Sequence, residues 1–401
     1  MQSGMIADGS EWMHPPWTDW RELLRQFAWQ YWPVAACSFG VAVAATPICR
    51  AFARARKIVD RPDDFLKPHK KPIPYLGGVA IFLGWAAGIA VAVALKRFPI
   101  EPGFMWGILA AGLAIMVVGL FDDIRMMQPR VKLALNIAVG LFLLWLGVGR
   151  NVFGVIIQAT VLRDDPSVHW LELFFSIPFG LFIVVGACNA TNLIDGLDGL
   201  CSGVLGIISI GFFVLAAHMA CWGPDQAIAH GRVVLSLAML GAAVGFLPYN
   251  RNPASIFMGD AGSMLLGLNA AVLIMMFCEP GRLRWMLGAI VVFGLPIADM
   301  ALTLLRRWRN AQPLMIGDRS HFYDQLVDRG YSVRQVVAIS YALAFAFVVI
   351  GVVTAVFVRT RYAIVVYGVV FIVVVWAVWK FRMVELMPPG SRREPPAPRN
   401  E

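Results

Sequence analysis

The sequence predicts an all-α polytopic membrane protein of about eleven transmembrane helices, with the N-terminus outside and the C-terminus in the cytoplasm. Three observations carry that prediction. Hydrophobic residues make up 59% of the chain and charged residues only 15%, against roughly 25% charge in an ordinary soluble domain. Apolar runs of crossing length recur from end to end, and in hydrocarbon a backbone must satisfy its own hydrogen bonds, which selects helices of about 17 to 25 residues. Lys and Arg, finally, are distributed unevenly among the segments that join those runs.

Residues 1–25 are polar and show no cleavable signal, and Trp12, Trp17 and Trp20 suit an interfacial segment. The apolar runs then fall at 26–49, 73–95, 104–121, 133–149, 173–188, 199–221, 233–248, 261–278, 285–305, 335–358 and 361–379. The fourth, fifth and seventh are the shortest. Together they form one membrane domain over 26–384, followed by a Pro-rich charged tail, 385–401, of disordered composition. The segments after spans one, three, five, seven and nine, with the stretch from Lys380 onward, hold 23 Lys and Arg; the opposite loops, counting Arg361 at the edge of span eleven, hold 9, and the N-terminal segment adds Arg21 and Arg25. The positive-inside rule makes the richer side cytoplasmic. Basic loops facing anionic lipid also account for most of the net charge of +9, so no nucleic acid is needed as a partner.

Polar residues at the edges of these runs are costly and therefore point to function. Asp122 and Asp123 in GLFDDIR follow span three; Asn189, Asn192, Asp195 and Asp198 in NATNLIDGLDG follow span five; Asp260 in FMGDAGS follows span seven. Counting spans places all of them on one face. Taken singly, each has a plainer reading: a paired aspartate is often a solvated helix end, and DGLDG a turn. Asp299 lies inside span nine, where a carboxylate must be paired, hydrogen-bonded or protonated. The cysteines, Cys37, Cys49, Cys188, Cys201, Cys221 and Cys278, lack paired spacing and read as buried apolar thiols. His14, His169, His218 and His230 read as incidental.

Several carboxylates and amides, with no Cys or His cluster, suit a hard cation such as Mg²⁺, which takes one or two carboxylates and completes its shell with substrate phosphates. Basic residues for those phosphates stand in the first loop (Lys67, His69, Lys70, Lys71) and the ninth (Arg306, Arg307, Arg309, Arg319, with His321). This is the composition of a phosphoryl-transfer centre. A cation-coupled transporter also places carboxylates in glycine-rich helix breaks. Its ligands lie near the bilayer midplane, however, often within inverted repeats; here they line one face and no repeat is visible.

VDRPDDFLKPHKKPIPYLGGVAIF (59–82), GLFDDIR (119–125), NATNLIDGLDGL (189–200), NPASIFMGDAGS (252–263) and GLPIAD (294–299) resemble the polyprenyl-phosphate N-acetylhexosamine-1-phosphate transferases. KPHKKPIPYLGG and PIAD are closer to the N-acetylglucosamine branch, which starts surface polysaccharides or teichoic acids, than to the muramyl-pentapeptide translocases. The resemblance implies transfer of a sugar phosphate from a UDP-sugar donor to undecaprenyl phosphate, with release of UMP, at the cytoplasmic face of the bacterial inner membrane. It implies Mg²⁺ as cofactor, with Mn²⁺ an alternative, held by Asp260 and Asn192. Asp122 is the implied base, with Asp123 beside it. His69 and Lys70 would face a phosphate, Arg319 and His321 the donor diphosphate, and Asn189 and Asp195 the substrate side. Membrane lipid is the remaining implied partner, and a homodimer is an option. Where the branch shows His-x-His-His, this chain reads RSHFYDQLVDRG, with Tyr323 and Asp324 in place of the later histidines.

Overall fold

The computed structural model describes residues 20–60, 72–96, 100–158, 169–220, 226–279, 282–311 and 321–384. The chain opens with α1 (Trp20–Ala55), then two short strands, β1 (Val59–Asp60) and β2 (Ile73–Pro74). They pair antiparallel, Val59 with Pro74 and Asp60 with Ile73, and are the only strands among the described residues. Helices follow without further interruption: α2 (Gly77–Leu95), α3 (Pro102–Arg125), α4 (Pro129–Trp145), α5 (Val152–Gln158), α6 (His169–Ile194), α7 (Leu200–Ala220) and α8 (Gln226–Asn250). The remainder are α9 (Gly259–Met276), α10 (Leu283–Val292), α11 (Gly294–Arg309), α12 (Phe322–Asp328), α13 (Val333–Phe357) and α14 (Thr360–Lys380).

Local chemistry sets several of these limits. Pro102 and Pro129 begin α3 and α4, where a missing N–H costs no helical hydrogen bond. Ser332 caps α13 by accepting the Gln335 amide. Pro33, Pro47, Pro178 and Pro248 lie inside helices, which packed neighbours permit in a membrane bundle.

α9 is the axis of the bundle. All its residues from Ala261 to Met276 are buried, whereas α14, of similar apolar composition, buries only Ala363 and forms the outer rim. Nine described helices are long and apolar enough to cross a membrane, and α10 with α11 makes a tenth. α4, at 17 residues, falls just short of that length. Lys132, near its start, reaches Asp260 at the first turn of α9; beyond its end, a Cβ on Gly149 would lie 2.6 Å from Met275 Sδ, at the last turn of α9. It therefore runs the full length of the central helix. Each of the eleven apolar runs maps to a described helix or, for the ninth, to the pair α10 and α11, but only nine or ten of them reach crossing length, fewer than the eleven expected.

Helix limits depart from the sequence expectation at several ends, and two departures shape the bundle near the site. The fourth span begins four residues earlier than 133, because Pro129 starts the helix. The ninth is not straight: α10 and α11 meet at 71°. Pro296 has no N–H to offer the Val292 carbonyl and its ring crowds that carbonyl, while Gly294 leaves room for the Phe347 ring against the bend. α11 then continues to Arg309, so Arg306, Arg307 and Arg309 belong to a helix and not a loop. Arg306 and Arg307 are buried on the stripe that also holds Leu302 and Thr303. The first is held by the Met383 carbonyl at 3.4 Å.

Candidate active site

Three helix ends carry the acidic motifs to one place: the C-terminal turn of α3, the C-terminal turn of α6 and the N-terminal turn of α9. The first amides of α9 have no acceptor within the helix, and Met258 offers no side-chain cap. Asp123 supplies it. Its Oδ1 accepts the Asp260 amide at 2.8 Å and its Oδ2 the Ala261 amide at 3.2 Å, a carboxylate at the positive end of the helix dipole. Gly259 makes this possible: its φ is +65°, and a Cβ there would stand 2.4 Å from the carboxylate. One turn before Asp123, Gly119 lets α3 lie directly against the backbone of Asp260 and Ala261.

Asp122 serves a different partner. Its Oδ1 accepts the Met127 amide at 2.5 Å, and its Oδ2 takes the Lys132 ammonium at 2.8 Å. The same ammonium bonds Asp260 Oδ2. Asp260 Oδ1 accepts the Asn192 amide at 2.7 Å, and that amide also lies 3.1 Å from Ser263 Oγ. Lys132 thus joins two motifs, and Asn192 adds the third. Sequence reasoning missed Lys132 because a lysine at the edge of an apolar run reads as a membrane anchor. The short α3–α4 connection was the available signal, since it folds the first turn of α4 back over the end of α3.

The NATNLIDGLDG segment divides its duties. Asn189 turns its amide onto the Val185 carbonyl of its own helix at 2.7 Å. Asp198 is structural: its Oδ2 accepts Asn252 Nδ2 at 3.0 Å and the Ala254 amide at 2.9 Å, fastening the α6–α7 turn to the loop before α9. The half-buried Asp195 has no side-chain hydrogen bond among the described residues. Burial, and then the carboxylates of Asp260, Asp123 and Asp198, push its pKa well above the ordinary carboxylate range.

The strand pair ends against the same site. Phe257 donates its amide to the Pro74 carbonyl at 2.9 Å, and Gly77 donates to the Phe257 carbonyl at 3.0 Å. Tyr75 follows β2, and its hydroxyl is held protonated by burial and by the nearby charges of Asp60, Asp123 and Asp260. His69 and Lys70, in the connection between the strands, lie outside the described residues, as does Arg319.

Asp299, the carboxylate expected to need a partner, finds His321. Its Oδ2 lies 2.9 Å from His321 Nδ1 and its Oδ1 accepts the Phe322 amide at 3.1 Å. Thr303 Oγ1 stands 3.2 Å from the same ring nitrogen. His321 is therefore buried and oriented by α11. Its backbone amide donates to Asp324 Oδ2 at 3.2 Å, the capping box of α12. Asp324 is thus a helix cap. Tyr323 reaches across to α6, donating its hydroxyl to the Leu193 carbonyl at 2.8 Å.

The donor set suits a hard divalent cation. Asp122 and Asp260 share one ammonium, Asp123 and Asp195 stand close to Asp260, and the neutral oxygens nearby are those of amides and hydroxyls. Among the described residues no group of three acidic, imidazole or thiol side chains is placed to hold a metal ion by itself. A metal held by Asp260 would complete its shell with substrate oxygens and water, as Mg²⁺ commonly does. Asn192 turns its NH₂ to Asp260, which leaves Oδ1 as its free ligand atom.

Residues 105–278, which span all four carboxylates, Lys132 and Asn192, match glycosyl transferase family 4. The chain is 32% identical over 305 residues to a Bacillus subtilis protein named "probable undecaprenyl-phosphate N-acetylglucosaminyl 1-phosphate transferase", covering 75% of this chain and 78% of that protein. It is 31% identical over 310 residues to a Mycobacterium tuberculosis decaprenyl-phosphate N-acetylglucosaminephosphotransferase, covering 73% and 74%. A phospho-N-acetylmuramoyl-pentapeptide-transferase of Chlorobaculum parvum is 32% identical over a shorter 263 residues, 60% of this chain and 68% of its own. The chain belongs to glycosyl transferase family 4, the membrane-bound polyprenyl-phosphate N-acetylhexosamine-1-phosphate transferases that its motifs resemble.

Proposed function

We propose that the protein transfers N-acetylglucosamine 1-phosphate from UDP-N-acetylglucosamine to undecaprenyl phosphate, giving the lipid-linked diphospho-sugar and UMP. The observation that carries this reading is the Lys132 ammonium shared by Asp122 and Asp260, which joins two distant acidic motifs into one charged surface at the bundle's end. The longer match to N-acetylglucosamine enzymes than to the pentapeptide transferase favours that donor.

An oxygen of the lipid phosphate attacks the sugar-bearing phosphorus, and the bond to the UMP oxygen breaks. Asp122 orients the acceptor phosphate and receives its proton where one remains. Little basicity is required, because the second pKa of a phosphate monoester is about 6. Asp260, with Asn192 Oδ1, would hold Mg²⁺, whose chemistry is to neutralise the diphosphate and ease departure of UMP. Asp123 keeps Asp260 fixed at the start of α9. Lys132 keeps Asp122 and Asp260 together and offsets their charge. With the positive-inside orientation, this end of the bundle faces the cytoplasm, where UDP-sugars are available, and the product starts an envelope polysaccharide or teichoic acid.

The test is to incubate purified protein with undecaprenyl phosphate, Mg²⁺ and each UDP-sugar separately. The expected result is equal release of UMP and lipid-linked product with UDP-N-acetylglucosamine. Product only with UDP-muramyl-pentapeptide would move the donor assignment, and none with any donor would remove the reaction.

A further inference from the structure

The carbonyls of a helix's last turn have no N–H partner within the helix. At the end of α6, the Asn192 carbonyl takes the Asp195 amide at 3.3 Å, and the Leu193 carbonyl takes the Tyr323 hydroxyl, from a residue 130 positions further along the chain. The Tyr323 ring is held on several sides. It stacks on His321 with centroids 5.2 Å apart and planes 6° from parallel, and meets Phe322 edge-on at 5.7 Å. It also fills the space above Gly196, where a Cβ would fall 2.1 Å from the hydroxyl. His321 is in turn fixed by Asp299 and Thr303.

The helix turn that Tyr323 ties down carries Asn192, whose amide holds Asp260 at 2.7 Å. We propose that Tyr323 is a positioning residue that, through the Leu193 carbonyl, holds the end of α6 and so the Asn192 amide against Asp260. A path of fixed groups then runs from Asp299 in α11 through His321, Tyr323 and Leu193 to the acidic site. Gly196 is part of the device, because any side chain there displaces the ring. The kinetic consequence rests on the proposed reaction; the structural one does not.

The test compares wild type, Tyr323→Phe and Gly196→Ala as full-length, detergent-solubilised proteins by hydrogen–deuterium exchange on peptides covering 185–199. Amides in the last turn of α6 are expected to exchange about fivefold faster in Tyr323→Phe, the factor contributed by one neutral hydrogen bond of ordinary net strength. Those at the centre of α9 should be unchanged, and Gly196→Ala should reproduce the effect. In the UMP-release assay, Tyr323→Phe should raise half-saturating Mg²⁺ by a similar factor, with kcat at saturating Mg²⁺ and KM for the lipid phosphate retained. Unchanged exchange in both variants overturns the proposal. So does a fall in kcat at saturating Mg²⁺ with exchange unchanged, which would make Tyr323 a substrate contact. If the wild type lacks transferase activity, the proposed reaction fails while the exchange measurement still decides the role of Tyr323.

Discussion

Asp123 and Asp260 are joined side chain to backbone, not carboxylate to carboxylate: the Asp123 carboxylate accepts the Asp260 amide at 2.8 Å and so caps the helix that presents the Asp260 carboxylate. The acidic pair at the end of α3 therefore splits into a cap and, at Asp122, a group facing Lys132. Replacing Asp123 by Ala should destabilise the protein by about 0.5–2 kcal/mol, the range for a lost N-cap. Asp123→Asn, which keeps an acceptor oxygen, should cost less. Thermal unfolding in detergent orders the three proteins, and equal Tm values would remove the capping role.

Lys132→Met leaves Asp122 and Asp260 without their shared cation. Hydrogen bonds to charged groups contribute roughly 1.5–3 kcal/mol, so turnover should fall about 10- to 100-fold. Lys132→Arg should recover part of it, because the charge returns with a different geometry. UMP release measures both, and near-normal turnover of Lys132→Met would show that the ammonium is dispensable.

Asp195 and Asp198 look equivalent in the sequence but stand in different surroundings. Asp198→Ala frees Asn252 and the Ala254 amide, and should lower Tm with little change in kcat for the folded fraction. Asp195→Asn relieves the crowding by carboxylates that raises the Asp195 pKa, and should lower kcat while Tm holds or rises. Opposite results for the pair would reverse the assignment.

The outline of the fold and the heart of the site were legible in the sequence for the same reason: polar groups at a membrane edge stand out against apolar runs. Asp122, Asn192 and Asp260 were visible that way, and span counting placed them on one face, where the structure brings them together. Asp299 was visible as a carboxylate in need of a partner, though not as the partner of His321, since that contact depends on the bend between α10 and α11. Lys132 was hidden by its resemblance to an anchor. Asp198 could not be told from Asp195, because only the loop around Asn252 separates their roles. Tyr323 and Asp324 looked like mere departures from a histidine cluster, and their hydrogen bonds to Leu193 and His321 give each a physical task.

Asp122→Asn should retain binding of the UDP-sugar and lose most turnover, because Asp122 is assigned to the acceptor phosphate. Equilibrium binding of labelled donor, alongside UMP release, separates the two steps. Loss of donor binding would contradict the assignment.

In the proposed reaction Asp260, held between Lys132 and Asn192, is the metal-binding carboxylate. That role is tested most directly by UMP release from Asp260→Asn at saturating Mg²⁺, beside its thermal unfolding. The expected result is a folded protein, with Tm close to wild type, that releases no UMP; turnover near that of the wild type would remove the metal assignment.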